Sequence, residues 1–258
     1  WYKNNIWVER RDTGLYFSER VTSKYDFESS QNVTYCDENG KPLLQWQGCF
    51  LLDGKLEPIN NGDFSNGPGT HDNLFKSCDK WKHPSDNAGD GIIKSYQFSG
   101  STFFLDIGNT DIVKLIYYRR HGLPSEYKFF IYTAEIDMKG GPDGKPTVVY
   151  KDSLLDNNIR LATGSINAIR HANGYDWFIV FGEHGSYNWY SVLYDRDGLH
   201  EPIKTPISQW KKPYLEVGKS AISPNGLKYI YHSDRDQFII LDFDRCNGIF
   251  SFFKQDSI

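Results

Sequence analysis

Methionine is nearly missing. Met138 is the only one in 258 residues, so Trp1 is not a translated start, and a cleaved signal peptide is expected upstream of it. No apolar run approaches the roughly 20 residues that cross a bilayer as a helix, so no helical membrane span is expected. A basic surplus is missing too. With 29 Lys and Arg against 33 Asp and Glu the formal net charge is −4, which supplies no electrostatic footprint for nucleic acid. The four cysteines, Cys36, Cys49, Cys78 and Cys246, include no Cys-x-x-Cys pair, which disfavours zinc and a cytosolic redox motif. There is no Gly-x-Ser-x-Gly elbow, P-loop or His-Glu-x-x-His, so no cofactor or metal is expected.

Glutamate is thin as well: Asp outnumbers Glu 23 to 10. Aspartate bonds back to its own backbone in turns while glutamate favours helices, so this imbalance marks a chain of many corners. Seven Trp, 17 Tyr and 17 Phe sit beside β-branched residues in short runs such as Ser101 to Asp106, Lys128 to Tyr132 and Gln237 to Leu241. Runs of this length bounded by Gly, Asn, Asp and Pro read as strands. Only Asp111 to His121 is ambiguous. Ile112, Leu115 and Ile116 would share a helical face and Arg119, Arg120 and His121 would suit a helix C-terminus, yet the stretch reads equally as a strand.

A self-similarity spans about fifty residues. His171-Ala172-Asn173-Gly174 followed by Tyr175 to Val180 aligns with Ser223-Pro224-Asn225-Gly226 followed by Leu227 to His232. Each is an Asn-Gly turn feeding a strand. Ser191 to Gly198 and Ile239 to Gly248 then match as an apolar strand ending in an Asp-rich turn. The order strand, turn, strand, loop, strand, turn, strand describes one four-stranded blade, and the expected fold is an all-β propeller with antiparallel blades. About four blades are expected, near residues 31–60, 90–155, 165–207 and 217–258, with 1–30 closing or crossing the ring. Four is the smallest closed ring, so the ring is expected to continue past Ile258, for example to seven blades. A β-sandwich of two similar halves is the competing architecture.

Several segments together resemble a family of secreted or cell-surface propeller proteins of Bacteroidetes that often carry a type IX secretion sorting domain. They are Asp37 to Leu44, Asn61-Gly62-Asp63, Asn66 to Gly69, Ile136-Asp137-Met138 before Gly140-Gly141, Arg170 to Gly174 before Asp176-Trp177, Ser223 to Gly226, and Asp242 to Cys246. The first 30 residues do not share in the likeness. The resemblance implies export, and no catalytic residue comes with it. In an exported protein a disulfide is the default for an even cysteine count, and four cysteines allow three connectivities. Cys49 with Cys78 is favoured because it would close the polar loop from Asn60 to Lys76 and because the resembling proteins often place cysteines at both points. Four free thiols are the alternative.

Two functional readings follow. One is a non-enzymatic module, secreted or on the outer cell surface, that binds a protein or glycan or serves as a scaffold. The other is a carbohydrate-active hydrolase with carboxylates around the channel. Glu183 ends the apolar strand Trp177 to Phe181, and Asp106 and Asp234 each follow an apolar strand. Asp106, Glu183 and Asp234 are therefore the candidate catalytic triad, although each equally suits a strand cap. Trp46, Trp81, Trp189 and Trp210 are candidates to stack on sugars or to pack between blades. The Asp-rich turns do not fit a calcium loop: counted from Asp242, the fifth position is Cys246 and the twelfth Phe253.

Overall fold

The computed structural model describes residues 5–11, 14–20, 33–46, 48, 50–64, 102–108, 110–121, 128–155, 159–209, 218–233 and 237–257. The described chain is all-β, with one 3-10 turn at Pro142–Gly144 and no α-helix. No helix there is long and apolar enough to cross a membrane.

Strands β1 (Asn5–Arg11) and β2 (Gly14–Arg20) form an antiparallel hairpin. Four meanders follow, each pairing consecutive strands antiparallel. Sheet 1 is β3 (Val33–Cys36), β4 (Pro42–Trp46), β5 (Phe50–Asp53) and β6 (Pro58–Asp63). Sheet 2 is β7 (Phe103–Asp106), β8 (Ile112–His121), β9 (Lys128–Asp137) and β10 (Thr147–Leu154). Sheet 3 is β11 (Asn167–Arg170), β12 (Trp177–Gly182) and β13 (Asn188–Asp195), with β14 (Gly198–Leu199) and β15 (Ile203–Pro206) both on the outer edge of β13. Sheet 4 is β16 (Gly218–Ile222), β17 (Lys228–Ser233), β18 (Gln237–Asp244) and β19 (Ile249–Ser257).

The ambiguous stretch is a strand: all ten residues of β8 pair with β9. Its pattern imitated a helix because both of its faces are covered. Leu115 and Tyr117 pack toward sheet 1, while Ile116 and Tyr118 pack toward sheet 3. A strand buried on two sides loses the alternation that normally reveals it.

Three apolar cores result, one in each gap between successive sheets. Leu44, Trp46, Leu51 and Phe64 meet Leu115, Tyr117, Tyr132 and Ile136 in the first. In the second, Leu105, Ile116, Tyr118 and Ile131 meet Ile179, Phe181, Tyr190 and Val192. Phe178, Val180 and Trp189 meet Tyr229, Tyr231, Leu241 and Phe250 in the third. Trp189 is fully buried, with its ring edge-on to Tyr229 at 5.1 Å and to Tyr231 at 5.9 Å.

The sheets also touch along their edges. First strands meet first strands: Tyr35 and Phe104 rings lie 5.9 Å apart, Arg170 reaches Asp106 at 3.6 Å, and the Asn167 amide donates to Ser220 Oγ at 3.0 Å. Last strands meet last strands. Thr147 forms a parallel bridge with Asn60, and the Phe250 amide donates to Thr205 Oγ1 at 3.4 Å. Sheets 1 and 2 are thereby continuous as one eight-stranded sheet whose ends, β3 and β7, come together, so it curls into a nearly closed barrel around the first core.

Corners follow the aspartate bias. Asp37, Asp53, Asp137, Asp195 and Asp244 each accept a backbone amide two residues on. Both Asn-Gly turns sit where expected, with Gly174 at φ 80° and Gly226 at φ 72°. Gly164 has another reason for being glycine. A Cβ there would lie 1.9 Å from the Gly218 carbonyl oxygen where the chain of sheet 3 abuts the start of sheet 4.

Replacing Trp189 by Ala should lower stability by about 3–5 kcal/mol, the range for emptying a large aromatic site in a packed core. Tyr150→Ala, at a residue 67% exposed, should stay within about 0.5 kcal/mol. Urea unfolding midpoints compare the two, and equal losses would contradict the packing described.

Candidate functional site

The second gap differs from the other two at its rim. On the face of sheet 2 turned toward sheet 3, β8 and β9 present Ile116, Tyr118, Phe129 and Ile131, then the buried Thr133, and at the rim Lys114 and Glu135 stand opposite each other in register. Their Nζ and Oε1 are 2.6 Å apart, with the lysine side chain 7% and the glutamate side chain 31% exposed. Lys114 is the single buried charged residue among those described. Its ammonium also lies 4.9 Å from the centroid of the Tyr194 ring, a cation–π contact from sheet 3. Burial, with Glu135 and Asp106 nearby, pushes the Tyr194 hydroxyl well above its ordinary range, so it stays protonated.

Glu135 and Tyr194, but not Lys114, also border a cavity of about 510 Å³ lined by Ile107, Thr110, Ile112, Glu135, Tyr194, Asp195, Arg196 and Gly198. Two turns build it. The turn after β7 is held by Thr110, whose hydroxyl donates to the Ile107 carbonyl at 2.9 Å. The turn between β13 and β14 is held by Asp195, which accepts the Asp197 amide at 2.8 Å and pairs with His200 Nε2 at 2.7 Å. Partial burial pulls the Asp195 carboxyl upward, but the His200 bond and the Asp197 and Gly198 amides outweigh it and hold it below its ordinary range.

Asp106 sits just behind this rim. Its carbonyl accepts Trp177 Nε1 at 2.8 Å, and Arg170 bridges its carboxylate while stacking on the Trp177 ring at 3.8 Å. Glu183 is elsewhere. It follows β12, bridges to Leu161, and accepts Ser186 Oγ at 2.8 Å and Asn188 Nδ2 at 2.6 Å. Because β11 and β12 are antiparallel, Asp106 lies at the Arg170–Trp177 end of that hairpin and Glu183 at the Asn167–Val180 end. The six residues of β12 separate them, roughly 15–20 Å at about 3.3 Å per residue. Paired glycosidase carboxylates stand about 5–10 Å apart, so Asp106 and Glu183 do not form the expected catalytic pair. Asp234 lies outside the described residues, as do Cys49 and Cys78. Cys36 and Cys246 are exposed and free.

Of the tryptophans considered for sugar stacking, Trp46 and Trp189 are core residues, and Trp81 and Trp210 lie outside the described residues. Lys114, Glu135 and Tyr194 were not singled out by the sequence. The only signal for Lys114 and Glu135 is a lone charge inside each of two largely apolar runs, Ile112 to Tyr118 and Phe129 to Ile136, and it gains meaning only once the register places the charges face to face. Comparison with models of known protein families gives no match, and comparison with curated proteins gives none either.

The Asp195–His200 contact can be tested directly. Because the folded carboxyl is more acidic than the unfolded one, the stabilisation is present above about pH 4 and is lost as pH falls through the folded value. His200→Ala should move the Asp195 carboxyl back toward its ordinary range in a carbon-13 NMR titration. An unchanged titration would mean that the backbone amides alone hold it.

Proposed function

We propose that the chain is an arc of β-propeller blades that works without catalysis, secreted or held at the outer cell surface, as a binding or scaffold module for a protein or glycan. The observation that carries this reading is the serial stacking of four meanders, first strand beside first strand and last strand beside last strand. Serial stacking of meanders is compatible with the radial repetition by which propellers arrange blades about a channel. The corners then fall into two rims, and loops on a rigid frame are where binding residues concentrate. Export is consistent with the likeness to Bacteroidetes propeller proteins. The opposed positions of Asp106 and Glu183 give the hydrolase reading no support.

A glycan array, run beside a screen for glycoside turnover, tests this. Saturable retention without release of reducing sugar is expected. Turnover that disappears in Glu183→Gln or Asp106→Asn would overturn the non-catalytic reading.

A further inference from the structure

The ion pair at the rim of the second gap invites a question of energetics. Taking two charges out of water commonly outweighs their attraction, and well-packed hydrophobic replacements are often neutral or stabilising. Among the described residues, the first and third gaps contain no buried charge. The glutamate of this one pair, its side chain 31% exposed, lines a cavity of about 510 Å³, within the roughly 300–1,000 Å³ range of small-molecule sites, which points to a ligand.

The chemistry of the lining narrows the class. Glu135 uses Oε1 for Lys114, and a carboxylate has further acceptor positions to offer. Asp195 adds a second carboxylate and the exposed Arg196 a donor. With Lys114 pairing Glu135 from outside the lining, two carboxylates stand against one ammonium and one guanidinium, which leaves little net charge, so neither an anion nor a cation is favoured as a whole. Ile107 and Ile112 supply an apolar wall. A neutral ligand that donates to carboxylates, accepts from a guanidinium and shows C–H surface to the isoleucines satisfies all of these demands. We infer that the rim cleft between sheets 2 and 3 is a subsite for one neutral sugar residue, held chiefly by hydroxyl hydrogen bonds to Glu135. This rests on the binding-module reading and gives its glycan arm a location.

The test uses neutral methyl glycosides, with a uronic acid and an amino sugar as charged controls, followed by ligand-observed NMR and calorimetry on the whole chain. Wild type should bind a neutral glycoside and neither control. Glu135→Gln should weaken binding about tenfold or more, the loss expected when a charged acceptor is removed from hydrogen-bonded hydroxyls. Lys114→Met combined with Glu135→Leu should lose binding while keeping or raising the thermal midpoint, whereas a merely structural ion pair would leave binding unchanged. Should the double variant fail to fold, Glu135→Gln and Arg196→Ala carry the test. Binding that is unchanged in Glu135→Gln and Arg196→Ala overturns the cleft and leaves the binding-module reading standing. Absence of binding to every neutral glycoside overturns the sugar assignment, and retention on the glycan array then shows whether the broader reading survives. A preference for the amino sugar or the uronic acid overturns the neutral class.

Discussion

A β-sheet that is apolar on both faces must be covered twice, and that requirement organises this protein. In sheet 2, successive residues of β8 enter different cores, Leu115 and Tyr117 on one side and Ile116 and Tyr118 on the other. Sheet 3 repeats the arrangement: Phe178 and Val180 face sheet 4, while Ile179 and Phe181 face sheet 2. Neither sheet is stable with one of these faces in water, because burying each large apolar side chain contributes roughly 1.5–3 kcal/mol. Stacking in series is the arrangement that covers both. The aromatic content of the chain fills the gaps, as the Trp189, Tyr229 and Phe250 cluster illustrates.

Hydrogen bonding secures what burial brings together. Arg245, in the turn between β18 and β19, donates to the carbonyls of Arg170, His171 and Asn225, tying the corner of sheet 4 to the first hairpin of sheet 3. Ser191 and Tyr229, both buried, reach across the third gap to the carbonyls of Gly248 and Ser165. These contacts cross between sheets and fix their relative position, which apolar packing alone leaves loosely specified. The walls of the rim cleft belong to sheets 2 and 3, and there the Asp106 carbonyl accepts Trp177 Nε1 while Arg170 pairs with the Asp106 carboxylate, tying the two sheets together.

The all-β class was legible because short aromatic and β-branched runs and aspartate corners carry local signals. The strands Phe103–Asp106 and Gln237–Asp244 and the turns at Gly174 and Gly226 are where those signals put them. Asp111 to His121 was not legible, since two-sided burial erased its period. The triad of Asp106, Glu183 and Asp234 shows the deeper limit. Ending an apolar strand does not say at which end of the sheet a residue lies, and the direction of β12 sends Glu183 away from Asp106. The Lys114–Glu135 pair was hidden for the converse reason: residues 21 positions apart in sequence become partners only through the register of β8 and β9.

The central claim is that successive sheets stand side by side with their first strands adjacent, and cross-linking Asn167 of β11 to Ser220 of β16 measures this most directly. With Cys36 and Cys246 replaced by Ser, an Asn167→Cys, Ser220→Cys variant should form its disulfide under mild oxidation in the native protein, seen by peptide mass mapping, because the two side chains now hydrogen-bond at 3.0 Å. A control pairing Asn167→Cys with Ser251→Cys on β19 should not cross-link. Failure of the first pair in folded protein, or equal cross-linking of both, would contradict the stacked arrangement.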